Sequence, residues 1–158
     1  MSVRVTPSLL ARLAGATALA LMLAACGETG GALAPGLVAS MASPNAQLDR
    51  GAAFNLLNQY RSVVGVGPLT DDPALDSIAQ NLAQTYAATG TAPKLPTAAI
   101  AIRASAGYTD FAETFSGWRN SPPDAAVLGM ANATRAGLAE FYAPNSAYGV
   151  YWVLLLGS

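Results

Sequence analysis

The stretch that decides the fold reads Gly117-Trp118-Arg119-Asn120-Ser121-Pro122-Pro123-Asp124. Proline cannot continue a helix and moves the residue before it out of helical geometry, so the double proline predicts a sharp corner. The run before the corner has apolar residues on one helical face, namely Phe111, Ala112, Phe115 and Trp118. The large indole ring of Trp118 is expected to fix this corner against an apolar core.

Two more helices are predicted before this corner. The first has apolar residues at helical spacing from Leu48 to Val63, and Gly65 and Gly67 end it. The second starts at Asp71-Asp72-Pro73, where acidic residues and a proline suit the first turn of a helix, and it ends before Gly90. Its apolar stripe and opposite polar face predict a surface helix that packs by one side.

The end of the chain predicts an antiparallel hairpin. Two runs rich in β-forming residues, 136–142 and 148–156, are joined by the short polar loop 143–147. Alternation along the second run predicts one face with Val150, Trp152, Leu154 and Leu156, and another with Tyr148, Tyr151, Val153 and Leu155. Because both faces are apolar, we expect helices to cover the sheet on both sides.

Three motifs occur along the chain in the same order as in a known family: Asn58-Gln59-Tyr60-Arg61, the Trp118-X-X-Ser121-Pro122 corner and Tyr148-Gly149-Val150-Tyr151-Trp152. They resemble the CAP superfamily (cysteine-rich secretory proteins, antigen 5, pathogenesis-related 1) in its short bacterial form, over residues 47–158. The resemblance implies an α+β fold, an α-β-α sandwich with helices on both faces of a small antiparallel sheet, reduced here to two or three strands. It also implies a short helix within 97–106. A strand bearing a cleft glutamate is expected to be lost, because only Thr109 and Asp110 separate Tyr108 from Phe111.

The cleft of the family holds two histidines and two glutamates, but this chain has no histidine. Asp124 stands where the resemblance places the second histidine, and Glu113 lies on the helix before it. Two interpretations are open. The two residues form a carboxylate pair for glycoside hydrolysis, or Asp124 caps the turn after Pro123 while Glu113 faces solvent.

Four aromatic residues are candidates for a ligand groove or for the core: Trp118, Tyr148, Tyr151 and Trp152. At strand spacing the core interpretation is favoured. The lack of histidine also removes the commonest metal ligand, so we expect no metal and no cofactor.

The amino terminus predicts a lipoprotein signal over residues 1–25. Arg4 and Arg12 precede an uncharged run that is short for a membrane span but typical of a secretion signal. Cys26, the only cysteine, follows Leu23-Ala24-Ala25, which resembles a bacterial lipobox. We therefore predict a lipid on Cys26, with an unmodified signal peptide as the alternative. Residues 26–46, rich in small and turn-forming residues, predict a flexible tether, and Gly27 favours sorting to the outer membrane.

The charge of the mature chain limits its partners. Removal of residues 1–25 takes away Arg4 and Arg12, which leaves six basic and nine acidic residues and a net charge of −3. Because the basic residues are few and dispersed, we exclude nucleic acid as a partner. The sequence thus predicts a non-catalytic, lipid-anchored cell-envelope protein, held at the membrane, that binds a protein, a lipid or a cell-wall component such as peptidoglycan. The alternative is an enzyme that cleaves cell-wall glycans with Glu113 and Asp124.

Overall fold

The structure is a computed structural model that describes residues 32–158. The predictions for the signal peptide, for Cys26 and for the start of the tether lie outside these residues. After a 3-10 turn at Pro35–Leu37, the elements are α1 (Arg50–Val63), β1 (Thr70–Asp71), α2 (Pro73–Thr89), β2 (Ala101–Ala106), α3 (Phe111–Asn120), α4 (Pro122–Leu128), β3 (Arg135–Ala143) and β4 (Gly149–Gly157). No helix in the described part is both long enough and apolar enough to cross a membrane.

One sheet with the strand order β1-β3-β4-β2 forms the middle layer. β4 pairs antiparallel with both β3 and β2, whereas the two-residue β1 pairs parallel with β3. The core cluster on one face joins the sheet to α1, α3 and α4, and the cluster on the other face joins it to α2. The α-β-α sandwich is therefore confirmed, although the sheet is mixed and has four strands.

The prediction of a short helix within 97–106 is wrong. Ala101–Ala106 forms β2, and each of its residues pairs with one on β4. The apolar strand β4 is central, so its backbone groups need partners on both edges. The need of β4 for a second neighbour outweighs the low strand preference of the alanine-rich segment. A strand therefore does precede α3, but it carries Arg103 and no cleft glutamate.

β4 divides its side chains between the two faces as the alternation predicts. Val150, Trp152, Leu154 and Leu156 pack in the larger cluster, while Val153 and Leu155 pack in the smaller one. The proline corner also forms as predicted: α3 ends at Asn120, Ser121 is extended, and α4 starts at Pro122. Trp118, only 2% exposed, packs beneath this corner in the larger cluster.

The segment before α1 differs from a flexible tether in its described part. Leu37 and Met41 are buried in the larger cluster, and the backbone N–H of Met41 donates to the carbonyl oxygen of Thr109 at 2.7 Å. These two large apolar side chains gain enough from burial to order a stretch whose composition is otherwise small and polar. The folded part of the chain therefore includes residues 37–41.

Two contacts between elements define the packing of the helices. Arg61 at the end of α1 is fully buried, and its guanidinium donates to the carbonyl oxygens of Gly67, Leu128, Met130 and Ala133 at 2.6 to 3.2 Å. Burial lowers the pKa of Arg61. On the other face, Gly137 of β3 lies directly against the backbone of Leu75 and Asp76 in α2. Both contacts join elements that are far apart in sequence.

Candidate functional site

Asp124 lies in the first turn of α4 and forms an ion pair with Arg103 of β2. Arg103 Nη1 is 2.7 Å from Asp124 Oδ1, and the two side chains are 28% and 26% exposed. The prediction that Asp124 caps α4 is wrong, because no side chain caps this helix. The charged guanidinium offers a stronger hydrogen bond than a backbone N–H does, and it comes from a strand that the sequence did not predict.

Glu113 lies in the first turn of α3 and is exposed, as predicted. Asp110 caps α3 by accepting a hydrogen bond from the backbone N–H of Glu113 at 2.9 Å. The carboxylate of Glu113 makes no hydrogen bond or ion pair within residues 32–158. The two candidate cleft residues therefore have different surroundings: Arg103 engages Asp124, and solvent surrounds Glu113.

The aromatic candidates separate into core and surface. Trp118, Tyr151 and Trp152 are 2% exposed or less, and the indole N–H of Trp152 donates to the carbonyl oxygen of Tyr108. Tyr148 is 56% exposed. Three of the four rings thus fill the core instead of lining an open groove.

Asp124→Ala is expected to lower the free energy of unfolding by about 1 kcal/mol, because it leaves the half-buried guanidinium of Arg103 without its partner. Glu113→Ala, at an exposed position, is expected to change it by less than about 0.5 kcal/mol. Urea unfolding measures both variants. In a double-mutant cycle with Arg103→Met, the effect of Asp124→Ala should largely disappear; additive effects would show that the ion pair does not stabilise the fold.

A cavity of about 650 Å³ lies elsewhere, along the outer edge of β3. Its walls come from the polar face of α2, from β3, from the segment before α1 and from the first residue of α1: Ala46, Gln47, Leu48, Arg50, Asp76, Ser77, Gln80, Asn81, Leu138, Ala139 and Glu140. A cavity of about 200 Å³ adjoins it and shares Ala46, Gln80 and Glu140. A third, of about 420 Å³, shares Phe141 with the second and reaches Ala88 of α2 and the 143–146 turn. We call these three adjacent cavities the edge groove.

The edge groove exists because β3 lacks a strand neighbour along most of one side. β1 pairs only with Arg135 and Ala136, so side chains cover the next backbone groups. Asp76 Oδ1 accepts from Leu138 N at 2.9 Å, Arg50 Nη1 donates to Leu138 O at 2.6 Å, and Gln80 Nε2 donates to Glu140 O at 3.2 Å. These side chains give hydrogen-bond partners to backbone groups of β3 that have no neighbouring strand.

Acidic groups outnumber basic ones in the groove. Arg50 is bonded to Asp71 and to Asp76, and these partners raise its pKa although burial acts to lower it. Burial raises the pKa of both Asp76 and Glu140. Glu140 has no ion-pair partner in residues 32–158. One partly desolvated carboxylate is therefore left to face the cavity.

Sequence reasoning missed this groove. Asp76, Gln80 and Asn81 appear in the sequence as the polar face of a surface helix. The available signal was Glu140, an acidic residue within an apolar strand. In the described part of the chain, no group of three or more histidine, cysteine or acidic residues could hold a metal ion.

Comparison with known proteins gives a family match and several similar folds. The model of the cysteine-rich secretory protein family (CAP) matches residues 54–156. An outer surface protein from Borrelia burgdorferi has a similar structure, with a TM-score of 0.57 and 15% identity over 70% of this chain and 92% of that one. An extracellular protein containing a SCP domain, from Bacillus anthracis, gives a TM-score of 0.58 and 17% identity over 73% of this chain. The match spans 44% of the Bacillus protein, less than half of its length. Identities this low show a shared fold alone. A search of curated proteins gave no match.

Proposed function

Because the chain belongs to the cysteine-rich secretory protein (CAP) family, we propose that it is a non-catalytic binding domain of the cell envelope. The observation that carries this proposal is the Arg103–Asp124 ion pair. A glycosidase needs two carboxylates open to one cleft, one of them able to give a proton to the leaving group. In this chain Asp124 forms an ion pair with Arg103, and Glu113 faces solvent. The chain has no histidine that could replace either carboxylate.

The proposed location is the outer membrane, with a lipid on Cys26 as the anchor. The lipobox-like Leu23-Ala24-Ala25-Cys26 supports the lipid, and Gly27 supports the outer membrane. A bacterial outer surface protein and a bacterial extracellular protein have similar folds, which supports a location outside the cytoplasm.

Cys26→Ser is expected to abolish lipid anchoring, because a hydroxyl group cannot form the thioether that carries the lipid. The variant should accumulate as uncleaved precursor or appear in soluble fractions, whereas Ser40→Ala, a control in the same region, should behave as wild type. Membrane fractionation with mass spectrometry of the amino terminus measures both. A Cys26→Ser protein of mature size in the membrane fraction would contradict the proposed lipid.

Binding and cleavage can be separated with isolated envelope material. The purified mature protein in detergent is incubated with washed envelopes, and both sedimentation and the release of soluble sugar fragments are measured. We expect saturable sedimentation and no release. Fragments whose release disappears in Glu113→Gln or Asp124→Asn would establish the enzyme instead, and an absence of sedimentation would contradict the binding proposal.

A further inference from the structure

We propose that the edge groove binds a linear, uncharged polysaccharide, which lies along α2 and β3 and is not cleaved. This inference rests on the proposed binding function and names the class of ligand. The groove differs in position from Glu113 and Asp124, which line none of its three cavities.

The shape of the groove suits a chain molecule. Its cavities of about 650, 200 and 420 Å³ adjoin one another and follow α2 from Asp76 to Ala88. At 1.5 Å per residue this part of the helix is about 18 Å long. An open trough of this length accommodates several units of a linear polymer, whereas a compact small ligand is normally enclosed on most sides.

The lining of the groove suits hydroxyl groups. Gln47, Asn81 and Gln84 place their side-chain amides along it, and those amides make no hydrogen bond to another described residue. An amide both donates and accepts, as a sugar hydroxyl does, so each can satisfy the other. Phe141 and Tyr142 add aromatic surface on which an apolar sugar face can pack.

The charge of the groove favours a neutral chain. Glu140 lines the first two cavities, and in the described chain it forms no ion pair, although Arg50 attracts its carboxylate. Sugar hydroxyls can donate to this carboxylate, and hydrogen bonds to a charged acceptor are the stronger ones. An anionic polymer would instead meet a net negative charge, because Asp71 and Asp76 share the single positive charge of Arg50, and Glu140 forms no ion pair in the described chain.

The edge of β3 disfavours an added peptide strand. Such a strand binds through backbone hydrogen bonds to an open sheet edge. Leu138 already uses both its N–H and its carbonyl oxygen in bonds to side chains, and the carbonyl oxygen of Glu140 accepts from Gln80. A peptide would have to displace Arg50, Asp76 and Gln80.

Cleavage of a bound glycan is equally disfavoured. Asp76 already accepts a hydrogen bond from the backbone of β3, so Glu140 has no free carboxyl group beside it to complete a catalytic pair.

The test is a calorimetric titration of the purified mature protein with defined probes. These are the β-1,4-linked tetramers of N-acetylglucosamine and of glucose, an oligogalacturonate of equal length as an anionic probe, and an uncharged polar peptide. We expect saturable binding of at least one neutral tetramer and none of the oligogalacturonate. Asn81→Trp, which fills the groove, should abolish binding, and Gln59→Ala, an exposed amide on α1, should leave it unchanged.

Glu140→Gln provides a second readout, because it should weaken binding and strengthen the fold. Loss of a charged acceptor is expected to reduce affinity roughly 10-fold. Burial raises the pKa of Glu140 in the folded state, so above that pKa the ionised carboxylate destabilises the fold, despite the attraction of Arg50. Glu140→Gln should therefore raise the melting temperature at pH 7. This gain should shrink as the pH falls through the folded-state pKa, where the carboxyl group takes up its proton.

Four outcomes would overturn the inference: neither neutral tetramer binds, the oligogalacturonate binds as tightly as a neutral tetramer, Asn81→Trp leaves binding intact, or the peptide binds more tightly than both tetramers. Each differs from a failure of the proposed function. If the wild-type protein and Asn81→Trp still sediment with washed envelopes, the chain is a binding protein whose ligand lies outside the edge groove.

Discussion

Replacing Arg61 with methionine is expected to lower the free energy of unfolding by about 4 kcal/mol. The buried guanidinium donates to four carbonyl oxygens, and methionine leaves them without donors in the interior. The total stability of a domain this size is about 5–15 kcal/mol, so the variant would lose a large share of it. Urea unfolding followed by circular dichroism measures the change, and the melting temperature should fall by roughly 10–20 °C.

Arg119→Met is the matched control, because Arg119 lies on the exposed side of the last turn of α3. It should change the free energy of unfolding by less than about 0.5 kcal/mol. Equal effects of the two variants would mean that the bonds from Arg61 to the 128–133 segment do not hold the helices together.

Gly137→Ala is expected to lower the free energy of unfolding by about 3 kcal/mol. A Cβ atom at this position would overlap the backbone of Leu75 and Asp76, and backbone atoms cannot rotate away as a side chain can. α2 would have to move off the sheet, which would also widen the edge groove and weaken ligand binding. Thermal unfolding and the neutral-tetramer titration measure both effects.

Gly67→Ala is the control for this substitution. A Cβ atom at Gly67 meets nothing within 4 Å, so a small change is expected. A Gly137→Ala protein as stable as Gly67→Ala would show that α2 and β3 are not in close backbone contact.

Features that depend on local chemistry could be predicted from the sequence. Asp72 and Pro73 start α2, and Gly90 ends it in a left-handed conformation, because caps and helix starts are set by a few neighbouring residues. The two faces of β4 followed from alternation alone. The family followed from three motifs in order, and the match to residues 54–156 confirms it.

Features that depend on distant partners could not be predicted. β2 forms because β4 needs a neighbour on its second edge, which nothing in the alanine-rich segment shows. Asp124 was expected to cap its own helix, but its partner Arg103 is 21 residues away and lies on that unpredicted strand. The edge groove combines the segment before α1, α2, β3 and the 143–146 turn, so no single stretch of sequence shows it.

The burial of Leu37 and Met41 limits how far the domain can travel. With a lipid on Cys26, as proposed, only residues 27–36 separate the anchor from the first buried side chain. Ten residues extend to at most about 36 Å. A ligand fixed near the membrane would then meet the domain at an effective concentration in the millimolar range. Individually weak contacts, such as those between amide side chains and sugar hydroxyls, would be sufficient to keep the groove occupied.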